Sequence, residues 1–360
     1  MSVFEILFVA PALISAVIAF AVTPFVIRFA WKIGIIDDPK KNKHPKVLHT
    51  KPTPRGGGLA ISIAIILVSI LFLPIDKHLR GILVGVLILS LVGILDDKYN
   101  LNPYIRLIVQ FLAASAPIAA GIGIAFVSNP FTGGIIDLSH PQFTFELFGE
   151  AHSVWILSDL FALFWIVTLM NFLNMGAKGV PGQLPGVVGI AAITIALMSL
   201  KFSADITEWP VTILAAITAG AFLGFLPWNM YPQRIMPSFG GSNVGGFMLA
   251  VLSILTTTKL GVLSVVLAVP LVDTGYTVLR RVFSGKSPVW GDRGHLHHRL
   301  IDKAGFSQKQ VAYFYWSLTA LLGLVGLYLN TQLKVVTIIS LVLLIGGAII
   351  WLTYQKQPSD

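Results

Sequence analysis

Asp96 and Asp97 stand side by side where the uncharged stretch 81–95 meets the polar segment Asp96-Asp97-Lys98-Tyr99-Asn100. Adjacent carboxylates at the end of an apolar run repel each other and resist dehydration, so a nearby positive charge should offset the cost. A divalent cation bridging to phosphate oxygens is the chemistry this pair suggests. The plainer alternative is solvation of a helix end by two acids, which needs no ligand.

Four other polar segments carry residues of compatible type. In His49-Thr50-Lys51-Pro52-Thr53-Pro54-Arg55-Gly56-Gly57-Gly58, glycines entering a helix let backbone N–H groups approach a phosphate while Lys51 and Arg55 supply charge. A basic loop that only sets membrane orientation would look the same. Asn171 and Asn174 are three apart and share a helix face. Their amides suit phosphate, ribose or base, or else cap a helix before the Gly/Pro-rich loop that follows. Residues 229–246 hold Asn229, Arg234 and Phe239-Gly240-Gly241-Ser242-Asn243, where successive amides form either an anion nest or an ordinary turn. Arg293-Gly294-His295-Leu296-His297-His298-Arg299 sets three histidines between arginines, which suits an anionic, hydrogen-bonding ligand. Zinc is disfavoured there, because the spacing lacks the i, i+4 His pair with its Glu and the chain has no cysteine. Asp273 lies inside an apolar run, where an acid either serves function or bonds to a neighbouring helix. Nothing suggests a serine triad or a Walker loop.

These segments need elements to position them, and composition says which. The chain has 360 residues, 55% hydrophobic and only 11% charged, against about 25% charged in soluble domains. We expect an all-α polytopic integral membrane protein, one helical domain over residues 1–360. Eleven candidate spans fall at about 4–30, 57–75, 80–95, 107–128, 154–174, 182–200, 209–227, 243–258, 260–279, 311–330 and 335–354. With the N-terminus outside, nineteen lysines and arginines fall in the inner loops and tail and five in the outer loops. That bias puts the C-terminus and the loops at about 31–56, 96–106, 175–182, 228–242 and 280–310 on the cytoplasmic face. All five polar segments then share one side. The outer loop at about 128–153 contains the alternation Gln142-Phe143-Thr144-Phe145 and predicts a small hairpin. The first apolar run follows Glu5 instead of a basic segment, unlike a signal peptide. The formal charge of +9 is mostly this inner-loop bias. It points to anionic headgroups and phosphorylated substrates, not nucleic acid.

The order and spacing of these motifs resemble the polytopic polyprenyl-phosphate N-acetylhexosamine-1-phosphate transferases. The likeness covers about residues 1–330. It runs through His49-Thr50-Lys51 with Pro54-Arg55, Asp96-Asp97 with Asn100, Asn171 with Asn174, Gly224-Phe225-Leu226 with Asn229, Pro270-Leu271 with Asp273-Thr274, and Asp292-Arg293-Gly294-His295-Leu296-His297-His298-Arg299. The resemblance implies transfer of a sugar 1-phosphate from a UDP-N-acetylhexosamine to undecaprenyl or another polyprenyl phosphate in the bilayer, with release of UMP. It implies a bacterial-type cytoplasmic membrane, a product that begins a cell-envelope glycan, and magnesium, with manganese as a substitute. A homodimer is compatible with it. Asp96 and Asp97 would bind metal or act as base; His295, His297 and His298 would join them in catalysis. Lys51, Arg55, Asn100, Asn171, Asn174, Asn229, Asp273 and Arg293 would serve substrate binding. The histidine segment is closer to the N-acetylglucosamine branch than to the UDP-MurNAc-pentapeptide branch.

Two departures stand out. The family usually carries one or two acids, each before a glycine, in the loop after the asparagine pair; here Lys178 and Pro181 fill those places. The family's Gly-Asp-Ser/Thr-Gly turn is replaced by Ser238-Phe239-Gly240-Gly241-Ser242, with no acid. Either Asp96, Asp97, substrate phosphates and water hold the metal, or activity is weakened or altered. A degenerate homologue with a binding role is therefore one rival reading. A lipid-phosphate transporter or flippase is another, disfavoured because the polar clusters are one-sided.

Overall fold

The computed structural model describes residues 2–41, 48–129, 132–147, 150–201, 204–256, 259–287 and 293–354. A π-helical turn, Glu5–Val9, leads into α1 (Ala10–Ile33), which stops where Gly34 turns left-handed at φ 74°. There follow α2 (Gly57–Phe72), α3 (Lys77–Tyr99), α4 (Pro103–Ala119), α5 (Ile156–Gly176), α6 (Gln183–Leu200), α7 (Trp209–Asn229) and α8 (Ser238–Leu255). Then come α9 (Lys259–Val266), α10 (Ala268–Phe283), α11 (Leu296–Asp302), α12 (Gln308–Gly326) and α13 (Thr331–Tyr354).

Each of the eleven expected spans overlaps a helix, but 107–128 runs past the end of α4 into the strand Phe126–Ser128, and 260–279 is divided between α9 and α10. Among the described residues, seven helices are long and apolar enough to cross a membrane, and α9 with α10 makes an eighth candidate bent by 82°. The bend has a local cause. Pro270 lacks an N–H for the Val266 carbonyl and its ring crowds that position, so one helix ends and another begins. The apolar helices α2 and α4 have 16 and 17 residues, about 24 to 26 Å of rise against a hydrocarbon core of about 30 Å. The chain is thus a mostly helical, multi-pass membrane protein.

Helix α8 is the axis of the bundle and is almost wholly buried, whereas α13 at the periphery is mostly exposed. Helices α2, α3, α5 and α6 pack on α8, and α1 packs on α7. Glycines make the closest crossings. A methyl group on Gly58 would lie 2.3 Å from the Gly241 nitrogen, and one on Gly93 would lie 2.7 Å from the Gly240 Cα. The glycine-rich starts of α2 and α8 are therefore packing surfaces. Of the two readings open in sequence, a phosphate approach or plain packing, the space beside Gly58 and Gly93 shows packing, because it is filled by the backbone of Gly240 and Gly241.

Strands are few. β1 (Ile36–Asp37) pairs with β2 (Thr53–Pro54), β3 (Phe126–Ser128) with β4 (Ile135–Asp137), and β5 (Gln142–Leu147) with β6 (Glu150–Trp155). The expected hairpin is present, with Gln142 opposite Trp155. The two-residue β1–β2 ladder has no periodic signature in sequence, yet it ties the 48–55 segment to the bundle.

Candidate active site

A cavity of about 680 Å³ opens where the ends of α3 and α4 meet three loops. Its wall includes Lys51, Arg55, Asp96, Asn100, Arg106 and Lys178. The α3–α4 turn sets up the first part. Asn100 ends α3 at φ 48°, a conformation asparagine tolerates, and its N–H donates to the Asp96 carbonyl at 2.8 Å. Asn102 caps α4, accepting from Tyr104 N at 2.9 Å, and Pro103 takes the first helical position. Arg106 is then one turn into α4 and reaches back to Asp96, with Nε 2.6 Å from Oδ1. The Leu101 N–H donates to the same oxygen at 3.1 Å.

Arg55 is the second anchor. Its backbone N–H donates to Ile35 O at 3.0 Å, and Met236 N donates to neighbouring Pro54 O at 2.8 Å, so both sides of the strand are held. Its guanidinium donates to Asn100 Oδ1 at 2.8 Å and lies 3.1 Å from Asp97 Oδ1 and 3.9 Å from Asp96 Oδ2. Asp96 and Asp97 are 1% and 4% exposed, so both charges depend on these arginines. Asp96 reaches the cavity wall; Asp97 stands behind Arg55 and is not part of that wall.

The loop after α5 brings a third cation. Lys178 Nζ donates to Asn174 Oδ1 at 2.5 Å, to Ser238 O at 3.2 Å and to Ser242 Oγ at 3.4 Å. Gln183 Oε1 holds the loop by accepting from Gly179 N and Val180 N at 2.8 and 3.1 Å. Burial pushes the Lys178 ammonium down to about 7; Asp97 works against this, and Arg55 and Arg106 reinforce it. Ser238, at φ 58°, holds a left-handed backbone that few non-glycine residues adopt.

Of the residues singled out from sequence, Lys51, Arg55, Asn100, Asn174 and Asp96 converge on the cavity. Others do not. Asn171 joins a buried amide network below it, donating to Gln110 Oε1 at 2.8 Å, while Gln110 donates to Asn243 Oδ1 at 2.6 Å. Asn229 staples two loops: it accepts from Gly182 N at 2.9 Å and donates to Ile235 O at 2.8 Å. Asp273 is fully buried, with Oδ2 3.0 Å from His295 Nδ1 and Oδ1 accepting from Leu296 N at 2.7 Å. His295, His297 and His298 are buried beside one another, and the His297 ring lies against Gly179. The histidines thus back the Lys178–Gly179 loop instead of lining the cavity. Arg293 forms a two-pronged pair with Asp302 at 3.0 and 2.9 Å, also outside the cavity wall. Asp292 lies outside the described residues. Sequence reasoning missed Arg106, whose role depends on the turn that folds it back on Asp96.

The cation implied by the resemblance has a poor fit. No group of three or more His, Cys, Asp or Glu among the described residues could hold a metal ion. Each carboxylate pairs with an arginine, Asp96 Oδ2 and Asp97 Oδ1 are buried without a hydrogen-bond partner, and the third nearby charge is the Lys178 ammonium. As placed, these residues offer a magnesium ion two carboxylates and set three basic side chains against it. They form a cationic pocket whose natural ligand is a phosphate or diphosphate.

Comparison with known proteins agrees with that chemistry. The family described as glycosyl transferase family 4 matches residues 79–257. A protein of Bacillus subtilis (strain 168), described as a probable undecaprenyl-phosphate N-acetylglucosaminyl 1-phosphate transferase, is 31% identical over 299 residues, covering 80% of this chain and 76% of its own. The decaprenyl-phosphate N-acetylglucosaminephosphotransferase of Mycolicibacterium smegmatis is 27% identical over 337 residues, 84% and 77% of the two chains. A phospho-N-acetylmuramoyl-pentapeptide-transferase of Caldanaerobacter subterraneus is 29% identical over 292 residues, 77% and 84%.

Proposed function

The chain belongs to glycosyl transferase family 4, and from that premise we propose that it transfers N-acetylglucosamine 1-phosphate from UDP-N-acetylglucosamine to a membrane polyprenyl phosphate. The observation that carries this to the site is the cavity of Lys51, Arg55, Arg106 and Lys178 at the ends of apolar helices, where a lipid phosphate and a soluble diphosphate can meet.

In the reaction, an oxygen of the lipid phosphate forms a bond to the phosphorus that carries the sugar. The bond from that phosphorus to the bridging oxygen breaks, and UMP leaves with that oxygen and the electron pair. Such a step needs positioning and charge stabilisation more than covalent help from protein. We assign Arg55 and Arg106 to the phosphates, with Lys51 at the exposed rim. Asp96 and Asp97 hold the two guanidiniums in place. A phosphate monoester is largely ionised near neutral pH, so the acceptor needs little help from a base.

The inner-loop excess of lysine and arginine supports a cytoplasmic site, eleven crossings and an external N-terminus, in a bacterial-type cytoplasmic membrane. The Arg293-Gly294-His295-Leu296-His297-His298 segment favours N-acetylglucosamine over the MurNAc-pentapeptide donor. The product would begin a cell-envelope glycan. The test is UMP release by the purified full-length protein in detergent with undecaprenyl phosphate, using UDP-N-acetylglucosamine and then other UDP-N-acetylhexosamines. Release that disappears in Arg55→Ala supports the reading, and no release with any donor sinks it.

A further inference from the structure

Where the resemblance leads one to expect acids around a metal, this chain places Lys178, Pro181 and Phe239. The Lys178 ammonium sits between three neutral oxygens, Asn174 Oδ1, Ser238 O and Ser242 Oγ. None of these acceptors cancels its charge. The two carboxylates nearby pair with Arg55 and Arg106, and act on Lys178 only at longer range. The cluster therefore holds three cationic side chains against two acids. A divalent ion entering it would meet three cations with only Asp96 Oδ2 and Asp97 Oδ1 left without a hydrogen-bond partner, whereas an anionic diphosphate would meet donors.

We propose that Lys178 replaces the divalent cation in this protein, binding the diphosphate of the UDP-sugar together with Arg55 and Arg106, so that donor binding and transfer proceed without a bound metal. The proposal rests on the transferase reading for the identity of the diphosphate. An ammonium is a compact point charge with three N–H donors and no demand for octahedral coordination. Lys178 has a donor to offer. Its 3.4 Å contact with Ser242 Oγ is the longest of its three, and Ser242 Oγ lies within 2.9 Å of Ser238 O as well as 2.7 Å of Asn174 Oδ1. Turning that N–H toward a phosphate oxygen leaves the serine satisfied. Asn174 keeps the stem aligned, which gives the asparagine a task at the site without any direct contact to ligand.

The experiment measures UDP-N-acetylglucosamine binding to the full-length protein in detergent by calorimetry, in excess EDTA and in magnesium, alongside UMP release in both. Wild type should bind with the same affinity in both and should release UMP in EDTA. Lys178→Met should lose about tenfold or more in affinity in EDTA, while Lys178→Arg retains most of it, because both remove the native side chain but only one removes the charge. Wild-type binding or release that is lost in EDTA and restored by magnesium overturns the proposal; so does unchanged binding by Lys178→Met. The wild-type comparison needs no variant to fold. A protein that binds the donor in EDTA through Lys178 but releases no UMP would defeat the transferase reading and leave the cation replacement standing.

Discussion

Asp273→Ala should loosen the histidine segment and disable the site from behind. Asp273 is fully buried and its two oxygens tie α10 to the start of α11, through His295 Nδ1 at 3.0 Å and Leu296 N at 2.7 Å. A hydrogen bond to a charged group is worth about 1.5 to 3 kcal/mol. Two are lost, and both nitrogens are left buried without their acceptor. Removing the carboxylate also returns part of its own desolvation cost, so a net loss of about 3 kcal/mol follows, at the lower end for breaking a buried pair. Asp273→Asn keeps an oxygen for Leu296 N and a polar group beside His295 Nδ1, and should lose about half as much.

The effect travels because of Gly179. A methyl group there would lie 1.9 Å from the His297 ring, so the ring and the loop backbone are in direct contact. Displacing residues 293–299 moves His297, and with it the Lys178–Gly179 loop on the cavity wall. A shift of about 1 Å in a positioning element can cost on the order of a hundredfold in rate. The assay is thermal unfolding in detergent, followed by tryptophan fluorescence, together with UMP release at saturating donor. The expected order in both is wild type, then Asn, then Ala. An Ala variant with wild-type unfolding temperature and turnover, or one more stable than Asn, refutes the reasoning.

Gly58→Val should be defective in folding, because its side chain would overlap Gly240 and Gly241 backbone; overpacking of this kind costs about 1 to 3 kcal/mol or more, read as a lower unfolding temperature. Asn229→Ala removes the bonds to Gly182 N and Ile235 O and should destabilise by about 1 to 3 kcal/mol on the same measurement. Arg106→Gln should raise the KM for UDP-N-acetylglucosamine about tenfold and also lower the unfolding temperature, since it removes one guanidinium from the phosphate side and the charge paired with buried Asp96. Donor affinity should fall as pH rises through about 7, where Lys178 gives up its proton, while the donor diphosphate keeps its charge; the limit is roughly tenfold per pH unit, and Lys178→Arg should be flat from pH 7 to 9. The sign for stability is opposite. The folded value of about 7 lies below the ordinary 10.5, so the unfolded chain binds more protons between them and unliganded stability gains with rising pH there.

Much of the helical architecture was legible because it depends on uninterrupted apolar runs; every expected span overlaps a helix, although 260–279 is divided between α9 and α10. The glycine-rich segments show where such reading stops. Gly56-Gly57-Gly58 and Gly240-Gly241 look alike whether a glycine admits a phosphate or another helix, and only the crossing of α2 and α3 over the start of α8 decides between them. Arg106 was hidden for a related reason. Nothing in its neighbourhood marks it until Asn100 and Asn102 turn α3 into α4 and bring its guanidinium to Asp96. The Arg293–Arg299 segment and Asp273 were visible as separate signals. Their junction needed α10 and α11 in place, and it moved both from the cavity wall to the layer behind it.

The aspartate pair shows how the same residues can take a different place in the chemistry. Adjacent buried acids must be compensated, and a divalent cation and a pair of guanidiniums both meet that need. The choice between them changes what the pocket binds. Around a metal, the acids would be the ligands and the phosphate would complete the shell. Here Asp96 accepts from Arg106 and Leu101 N, and Asp97 faces Arg55, so the acids fix the direction of two guanidiniums and leave other edges open to the cavity. Buried pairs of this kind add little to stability, because desolvation offsets most of the attraction. Their value is orientation. With Lys178 held by neutral oxygens on the adjoining wall, the positive charge that a metal would concentrate at one point is spread over three side chains, each with N–H donors suited to an oxygen of a diphosphate.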